Sequence, residues 1–270
     1  MTSTSGSSRP SQPVSVAAIA TYGRVDVHDA EARVRSLAAR AGVELVDDPA
    51  AAQLVVALGG DGTILHTLAR LLGTGVPVVG VNYGRVGFLA SIEPETLERD
   101  LARVFAGEYL VLEQPTLEAD LDGETYVAVN DVVAASSTLG RMVELAWAVG
   151  GEKLGAVPCD GMICSTPSGS TAYNLSNGGP VLVRGLDAMA VTFIAPHSLH
   201  ARPLVVPRGP EVTVRNATED VGVAVLVDGR RLADIPPDGR LAIRLGEQRS
   251  LLATLPETTF FARYRATFTA

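Results

Sequence analysis

The chain of 270 residues contains a glycine-rich stretch whose residue types suit the binding of a phosphorylated ligand. It reads Gly59-Gly60-Asp61-Gly62-Thr63 and joins an apolar run to an amphipathic helical pattern. Glycines let the backbone approach a ligand, and the N-terminus of the following helix offers N–H groups and the positive end of a dipole. No lysine follows the glycines, so the stretch is not a P-loop. Mg²⁺ and arginines would have to neutralise a bound phosphate.

The same stretch also fits a purely structural role. In that interpretation it is a tight turn between a strand and a helix, and Asp61 caps the helix. A Gly-Gly pair before Asp-Gly is more than a cap requires, which favours a binding loop. The stretch NYGRVGFLA, residues 82–90, follows the next apolar run. There Arg85 could contact a phosphate, and Phe88 could either stack on an aromatic base or belong to the core.

A second segment, CDGMICSTPSGSTAYNLSNGGP, covers residues 159–180 and is rich in small hydroxyl side chains. Hydroxyls before a short helical pattern indicate donors and acceptors around a polar ligand. Upstream, Asn130-Asp131 ends an apolar strand pattern, and an amide beside a carboxylate can hold the two hydroxyls of a ribose. The pair could equally be an ordinary strand end. The hydroxyl-rich segment lacks the G-x-S-x-G pattern of a nucleophilic serine.

The hydrophobic pattern predicts two kinds of element to position these residues. Residues 14–21, 54–60 and 76–82 are continuous apolar runs of buried-strand length, and helical patterns alternate with them. This alternation is typical of parallel βαβ units. After about Leu110, short β-rich segments follow one another, and only residues 170–177 look helical.

We therefore expect an α/β domain with a parallel sheet over residues 14–108, which carries the GGDGT loop. A β-rich, β-sandwich domain is expected over residues 109–270, and its last segment could pack back on the first domain. Residues 1–13 are polar and Ser-rich, which predicts a disordered tail.

Composition narrows the class of protein. Hydrophobic residues make up 47% of the chain and charged residues 19%, which is enough for a sizeable core. The net charge of −8 argues against a nucleic-acid partner, and no apolar run is long enough to span a membrane. Cys159 and Cys164 lack the spacing of a metal site and are expected to be buried thiols. Few cysteines and no signal peptide lead us to expect a cytoplasmic protein.

The order of the motifs resembles that of the NAD kinase family. The matching text is LGGDGTIL, NYGRVGFLA, NDVV, CDGMICSTPSGSTAYNLSNGGPVL, IAPHSLHARPLVVP and VDGRR, between residues 58 and 231. GGDGT is shared with lipid kinases and phosphofructokinases, whereas DG followed by STPSGSTAYNLSNGGP is specific to NAD kinases. The resemblance implies an α/β domain followed by a β-sandwich domain. It also implies phosphoryl transfer from ATP, or in some members polyphosphate, to the 2′-hydroxyl of the adenosine ribose of NAD.

The resemblance further implies Mg²⁺ held mainly by phosphates, and a homodimer or homotetramer in which a neighbouring subunit helps to complete the NAD site. Asp61 matches the proposed general base. The positions implied for nucleotide and substrate binding are Gly59, Gly60, Gly62, Thr63, Leu65, Phe88, Asn130, Asp131, Asp160, Ser168, Thr171, Ala172, Tyr173, Ser176, Ala195 and Asp228. Among them, Leu65 and Phe88 match residues that line the adenine. Asp160 matches the aspartate that contacts the nicotinamide end or a neighbouring subunit's ligand, and Ala195 matches the strand end that faces the nicotinamide moiety.

One position departs from the family pattern. The pair that holds the adenosine ribose is usually Asn-Glu, and here it is Asn130-Asp131, one methylene shorter. Hydrogen bonds tolerate only small changes in distance, so we expect altered NAD affinity with retained chemistry. Two alternatives stay open: a non-catalytic NAD(P)-binding module, and another GGDGT-type kinase acting on a lipid or sugar. The 159–180 segment favours NAD, and the intact GGDGT loop favours catalysis.

Overall fold

The computed structural model describes residues 8–22, 27–84 and 87–269, and these divide into two compact units. The first unit comprises the residues up to Gln114 together with those from Arg249 onward. The second runs from Pro115 to Gln248. The change of hydrophobic pattern near Leu110 lies a few residues before the chain enters the second unit.

The first unit contains a parallel sheet with helices on it. Its strands are β1 (Ser8–Pro10), β2 (Val16–Thr21), β3 (Glu44–Leu45), β4 (Leu54–Gly59), β5 (Val78–Asn82), the beginning of β6 (Leu110–Leu121) and the end of the last strand of the chain, whose Leu252 pairs parallel with Val78 of β5. Its helices include α1 (His28–Ala41), α2 (Asp61–Arg70) and α3 (Leu97–Phe105). The parallel order is β3-β2-β4-β5, with Val56 of β4 opposite Ile19 of β2 and Val79 of β5. Every residue of β4 and β5 is buried, as expected for strands covered on both faces.

The helices of this unit follow the predicted periodicity. In α1 the buried residues are Ala30, Val34, Leu37 and Ala38. The helix ends at Gly42, whose positive φ of 69° allows its N–H to reach the carbonyls of Ala38 and Ala39. Asp29 does not cap this helix. The capping position is Val27, and Asp29 lies inside the first turn, where its charge favours the helix dipole.

Residues 1–7 of the predicted tail at residues 1–13 lie outside the described residues. From Ser8 to Pro10 the backbone forms β1, which pairs antiparallel with β6, with Ser8 opposite Leu112. Farther along, the N–H of Val14 donates to the carbonyl of Phe105 at 2.9 Å. A three-residue strand at a sheet edge needs only backbone hydrogen bonds, so a Ser-rich composition gives no sign of it.

The second unit is made of antiparallel strands. After β6 they are β7 (Glu124–Ala128), β8 (Asp131–Ser136), β9 (Val143–Val149), β10 (Glu152–Cys159), β11 (Gly161–Ser165), β12 (Ala188–Ile194), β13 (Leu204–Pro207), β14 (Val212–Asn216), β15 (Val223–Val227), β16 (Arg230–Ile235) and the beginning of β17 (Arg240–Thr254). One sheet has the order β13-β12-β11-β8-β15-β16. In the other, β10, β9, β14 and β17 are neighbours.

The two sheets of this unit share one apolar core, which makes the unit a β-sandwich. Leu145 and Val214 from one sheet and Met162 and Val191 from the other belong to the same buried cluster. The predicted α/β plus β-rich fold is therefore confirmed. Cys159 and Cys164 both lie in this core, buried and free, and burial raises each thiol pKa to about 12.

Two short helical segments occur where the sequence predicts one. They are a 3₁₀ turn at Gly169–Thr171 and α4 (Tyr173–Ser176). A further helix was not predicted: α5 (Phe260–Phe268) follows β17 and belongs to the first unit. The hydroxyl of Thr259 accepts a hydrogen bond from the N–H of Ala262 at its start. Along the described part of the chain, no helix has both the length and the apolar character that a membrane span requires.

Candidate active site

The GGDGT stretch forms the connection between β4 and α2 in the first unit. Gly60 is the capping position of α2, and its carbonyl accepts hydrogen bonds from the N–H groups of Thr63 and Ile64 at 2.9 and 3.2 Å. The first N–H groups of the helix have no partner within it, and Gly62 is exposed there. The helix therefore presents backbone donors and its positive dipole end at the loop.

The glycines of this loop are needed for close packing. A Cβ atom on Gly59 would overlap the side chain of Thr63. A Cβ on Gly84, from the loop after β5, would lie 2.7 Å from the Cα of Gly60. The two loops therefore touch backbone to backbone, which only glycine permits at these positions.

Asp61 does not cap α2. One of its carboxylate oxygens accepts the N–H of Phe88 at 2.7 Å, and the other accepts the N–H of Leu89 at 3.1 Å. A Cβ on Gly87 would overlap the carboxylate, so this glycine leaves the space in which Asp61 lies. The cap interpretation of Asp61 is therefore wrong, and the role of the loop in binding a ligand stays a prediction.

The other residues predicted here have mixed surroundings. The hydroxyl of Thr63 donates to the carbonyl of Tyr22 at 3.1 Å and is held inside the unit. Leu65 is half-buried on α2. The ring of Phe88 is buried against Phe260 and Phe268 of α5. Its contact with a base stays a prediction, whereas its place in an aromatic cluster is observed. Arg85 lies outside the described residues.

In the second unit, three strand ends meet around Asn130 and Asp131. Asp131 is the first residue of β8, so the pair begins a strand rather than ending one. Asp131 lies opposite Ser165, the last residue of β11, and its neighbour Val132 lies opposite Val227, the last residue of β15. The antiparallel pairing therefore brings Asn130, Asp131 and the residues after β11 and β15 to one edge of the sheet.

Asp228 holds this edge together. It follows β15 with a φ of 48°, a left-handed conformation that is uncommon outside glycine. Its carboxylate accepts the N–H groups of Val129 at 2.9 Å, Asn130 at 2.7 Å and Asp131 at 3.2 Å. Its own N–H donates to the carbonyl of Asp131. Asp228 therefore fixes the backbone of the Asn130-Asp131 pair.

The two carboxyl groups at this edge affect each other. Asp131 is buried, and burial together with the charge of Asp228 raises its pKa to about 7. Burial also raises the pKa of Asp228, but the three N–H groups that it accepts act in the opposite direction. Asp228 is therefore the carboxylate of the pair, and Asp131 carries a proton through much of the acidic range.

Polar atoms at the same edge lack partners. Within the described residues, the side-chain oxygens of Asn130 and Ser168 are buried and accept or donate no hydrogen bond. The carbonyl of Asn130 accepts the N–H of Thr166 at 2.8 Å, and a Cβ on Gly169 would overlap that carbonyl. The turn that contains Ser168 therefore packs against the backbone of Asn130. Buried polar groups are normally paired, so these oxygens point to a ligand that would pair with them.

Most hydroxyls of the 159–180 segment make hydrogen bonds within the unit, and their contact with a ligand stays a prediction. The hydroxyl of Thr166 donates to the carbonyl of Val129 at 2.7 Å, and that of Ser170 donates to the carbonyl of Pro167 at 2.7 Å. Asn174, which sequence reasoning missed, is fully buried and bonds Ser170, Pro180 and Thr192. The hydroxyl of Thr171 donates to the carbonyl of Ser168, while Ala172, Tyr173 and Ser176 are exposed.

Asp160 and Ala195 lie at the opposite end of the same strands. Gly161 pairs with Ile194, and the N–H of Asp160 donates to the carbonyl of Ile194 at 3.0 Å. Five residue steps along β11 separate Asp160 from Ser165, roughly 16 Å at the usual rise of a strand. The residues predicted in this unit therefore form two groups. Asn130, Asp131, Ser168 and Asp228 form one, and Asp160 and Ala195 form the other.

Two family models match this chain. Residues 26–109 match the ATP-NAD kinase N-terminal domain, and residues 129–255 match the ATP-NAD kinase C-terminal domain. A protein named NAD kinase from Heliobacterium modesticaldum is 40% identical over 234 residues, covering 85% of this chain and 83% of that protein. The chain belongs to the NAD kinase family. The resemblance drawn from the motif order is thereby confirmed.

Other members of the family agree with this. The NAD kinase of Ralstonia nicotianae is 41% identical over 202 residues, covering 73% of this chain and 67% of that protein. An NAD kinase from Archaeoglobus fulgidus, solved in complex with ATP, has a TM-score of 0.79 and 27% identity over 93% of this chain and 99% of its own. Yeast NADH kinase complexed with NADH has a TM-score of 0.85 over 95% of this chain and 88% of its own. Its identity is 21%, so it supports the fold alone.

Proposed function

We propose that this member of the NAD kinase family transfers a phosphoryl group from ATP to the 2′-hydroxyl of the adenosine ribose of NAD, giving NADP. The family and its relatives named NAD kinase support the substrate and the reaction. The observation that carries the proposal is the edge at Asn130 and Ser168, whose buried side-chain oxygens have no partner among the described residues. A ribose diol supplies the donors and acceptors that such oxygens require.

Asn130 and Asp131 would hold the adenosine ribose, and Asp228 would keep their backbone in place. Burial of the pair suits the binding of a neutral diol, because a buried charge without a partner is costly. Asp131 is one methylene shorter than the usual glutamate. Its effect is therefore expected in NAD affinity rather than in the chemical step.

Asp61 would act on the hydroxyl that receives the phosphoryl group. Its carboxylate is oriented by the N–H groups of Phe88 and Leu89, so little reorganisation is needed when substrate binds. In phosphoryl transfer the nucleophile loses its proton late, because the transition state is loose. Asp61 would first orient the 2′-hydroxyl and then accept its proton as the new O–P bond forms and the bond to ADP breaks.

Mg²⁺ is the expected cofactor, and we propose that phosphate oxygens and water supply most of its ligands. Among the residues that the structure describes, no three His, Cys, Asp or Glu side chains lie close enough together to hold a metal ion. When bound, the ion would neutralise the charge of the transferred group. Polyphosphate as a second donor, a homodimer or homotetramer and a cytoplasmic location belong to the same proposal.

The test is formation of NADP by the purified full-length chain from NAD, Mg²⁺ and either ATP or polyphosphate, detected with an NADP-specific dehydrogenase. We expect product with ATP. The reaction with polyphosphate shows whether that compound also serves as a phosphoryl donor. Folded protein that binds NAD in calorimetry but makes no NADP with either donor would contradict the proposal and favour a binding module. ADP release with a lipid or sugar acceptor and not with NAD would favour another GGDGT-type kinase.

A further inference from the structure

The carboxylate of Asp61 is held by a segment that is itself held by the C-terminal helix of the same unit. This segment, residues 87–93, is called the clamp segment below. It supplies the two N–H groups that bind Asp61, from Phe88 and Leu89. The side chains that keep the clamp segment in place therefore decide where the carboxylate lies.

Arg263 of α5 contacts the clamp segment at two points. One terminal nitrogen of its guanidinium donates to the carbonyl of Ala90, next to the residues that bind Asp61. The other lies 3.2 Å from a carboxylate oxygen of Glu93 at the end of the segment. The side chain of Arg263 is only 13% exposed. A planar guanidinium that bonds a carbonyl and a carboxylate in a largely buried position fixes both in orientation.

Aromatic packing adds a third point of contact. The ring of Phe88 lies 5.8 Å from that of Phe268, with an angle of 29° between their planes, and 6.2 Å from that of Phe260. The N–H of Phe88 binds Asp61 while its ring packs against α5. A movement of α5 would therefore be transmitted to the carboxylate through one residue.

The contact at Glu93 reaches the other side of the GGDGT loop. The second carboxylate oxygen of Glu93 accepts a hydrogen bond from the amide of Asn82 at 3.1 Å, and the carbonyl oxygen of that amide accepts the N–H of Gly84 at 3.2 Å. Gly84 is the residue whose Cα side packs on Gly60. Arg263 is thus connected both to the groups that orient Asp61 and to the loop that contains it.

We propose that Arg263 is a positioning residue for phosphoryl transfer, which holds the clamp segment so that its N–H groups keep the Asp61 carboxylate in the reactive orientation. The inference rests on the proposed function, since it assigns a role relative to the 2′-hydroxyl. It extends that function to a helix outside every motif that carries the family resemblance. A residue that only stabilised α5 would alter the melting temperature without altering the chemical step.

The experiment compares Arg263→Ala with Arg265→Ala in the full-length chain. Arg265 is an exposed arginine on the same helix, so its replacement makes the same change in composition away from the clamp segment. We expect Arg263→Ala to lower kcat about tenfold or more, with the KM for NAD changed by less than about twofold, because misplaced catalytic groups reduce rate more than binding. Arg263→Lys should be intermediate, because a lysine keeps a charge but not the two-point contact.

A double-mutant cycle with Asp61→Asn separates positioning from general stability. If Arg263 acts through Asp61, the second substitution removes little further activity from the Asp61→Asn chain. Hydrogen exchange gives a readout apart from activity: the amides of residues 88–89 should exchange faster in Arg263→Ala and unchanged in Arg265→Ala. If Arg263→Ala does not fold, kcat and hydrogen exchange are compared with those of Arg265→Ala in two milder variants, Arg263→Lys and Phe268→Leu.

Two results would overturn the inference while leaving NAD kinase activity in place. One is an Arg263→Ala chain with the kcat and exchange rates of Arg265→Ala. The other is a double variant whose loss in kcat equals the product of the losses caused by Arg263→Ala and Asp61→Asn separately. A wild-type chain that makes no NADP is a different outcome, because it contradicts the proposed function itself.

Discussion

The loop of Asp61 in the first unit and the edge of Asp131 in the second unit both fix an aspartate with backbone N–H groups, but they do so for different purposes. Asp61 accepts two N–H groups from a neighbouring loop. Asp228 accepts three N–H groups and lies beside Asp131, whose pKa is raised to about 7. Under the proposed function, the first arrangement would prepare a carboxylate for chemistry. The second would use one carboxylate to position another carboxyl group for binding.

The largest effect is expected at Asp61. Asp61→Asn keeps the size of the side chain but removes the proton acceptor and one of the two oxygens that accept the N–H groups of Phe88 and Leu89, so kcat should fall by about 10³-fold while NAD still binds. Steady-state kinetics with the NADP-specific readout measures this. Asp29→Asn, an exposed aspartate on α1, is the matched control and should leave kcat unchanged. Near-normal turnover by Asp61→Asn would remove the general-base role and with it the contrast between the two regions.

The next effect concerns stability in the second unit. Asp228→Ala leaves the N–H groups of Val129, Asn130 and Asp131 without their acceptor, so the free energy of unfolding should fall by about 2–4 kcal/mol. The KM for NAD should rise because the Asn130-Asp131 backbone is no longer fixed. Denaturant unfolding measures the first quantity and kinetics the second.

Asp122→Ala is the control for this prediction. Asp122 also precedes a glycine and also has a positive φ, of 51°. It is exposed, however, and does not lie at the sheet edge formed by Asn130 and Asp131. Both variants lose an aspartate that tolerates the left-handed conformation. The difference in stability between them therefore reports the three hydrogen bonds that the Asp228 carboxylate accepts. Equal destabilisation of the two variants would show that Asp228 is a turn residue and nothing more.

A smaller effect should depend on pH. The pKa of Asp131 is raised in the folded chain above its ordinary value of 3.8, so between about pH 4 and pH 7 the folded state binds more protons than the unfolded state. The stability due to protonated Asp131 is therefore complete below pH 4, falls as the pH rises to about 7, and is constant above that. Asp131→Asn lacks this titration.

The measurement is the difference in free energy of unfolding between wild type and Asp131→Asn from pH 4 to pH 8. We expect wild type to lose about 1–3 kcal/mol relative to the variant over this range. Asp122→Asn, whose side chain is exposed, serves as control and should follow wild type. A difference that does not change with pH would mean that Asp131 is ionised throughout.

The sequence predicted the sheet of the first unit well, because buried parallel strands leave continuous apolar runs. β2, β4 and β5 lie within the runs at residues 14–21, 54–60 and 76–82. The motif order was enough to recognise the family. α5 was missed although it carries a pattern: Thr259 caps it, and Phe260, Tyr264 and Phe268 recur every four residues. Because residues 109–270 were predicted to be β-rich, this helical pattern was not recognised.

Contacts between residues far apart in sequence could not be predicted. Asp228 reaches Val129 across 99 positions, which depends on the pairing of β15 with β8. The internal use of Thr166 and Ser170 was equally invisible, because a hydroxyl that bonds a carbonyl has the same sequence as one that binds a ligand. Spacing identifies residue types that could do chemistry. Only the fold decides which of them are already occupied.

The most direct test of the account measures binding and turnover separately for Asp61→Asn and Asp131→Asn, with the Kd of NAD from calorimetry and kcat from NADP formation. We expect Asp61→Asn to keep the wild-type Kd and to lose about 10³-fold in kcat. Asp131→Asn is predicted to weaken NAD binding severalfold and keep kcat within about twofold. The reverse pattern, with binding lost at Asp61 and turnover lost at Asp131, would contradict the division of roles between the two regions.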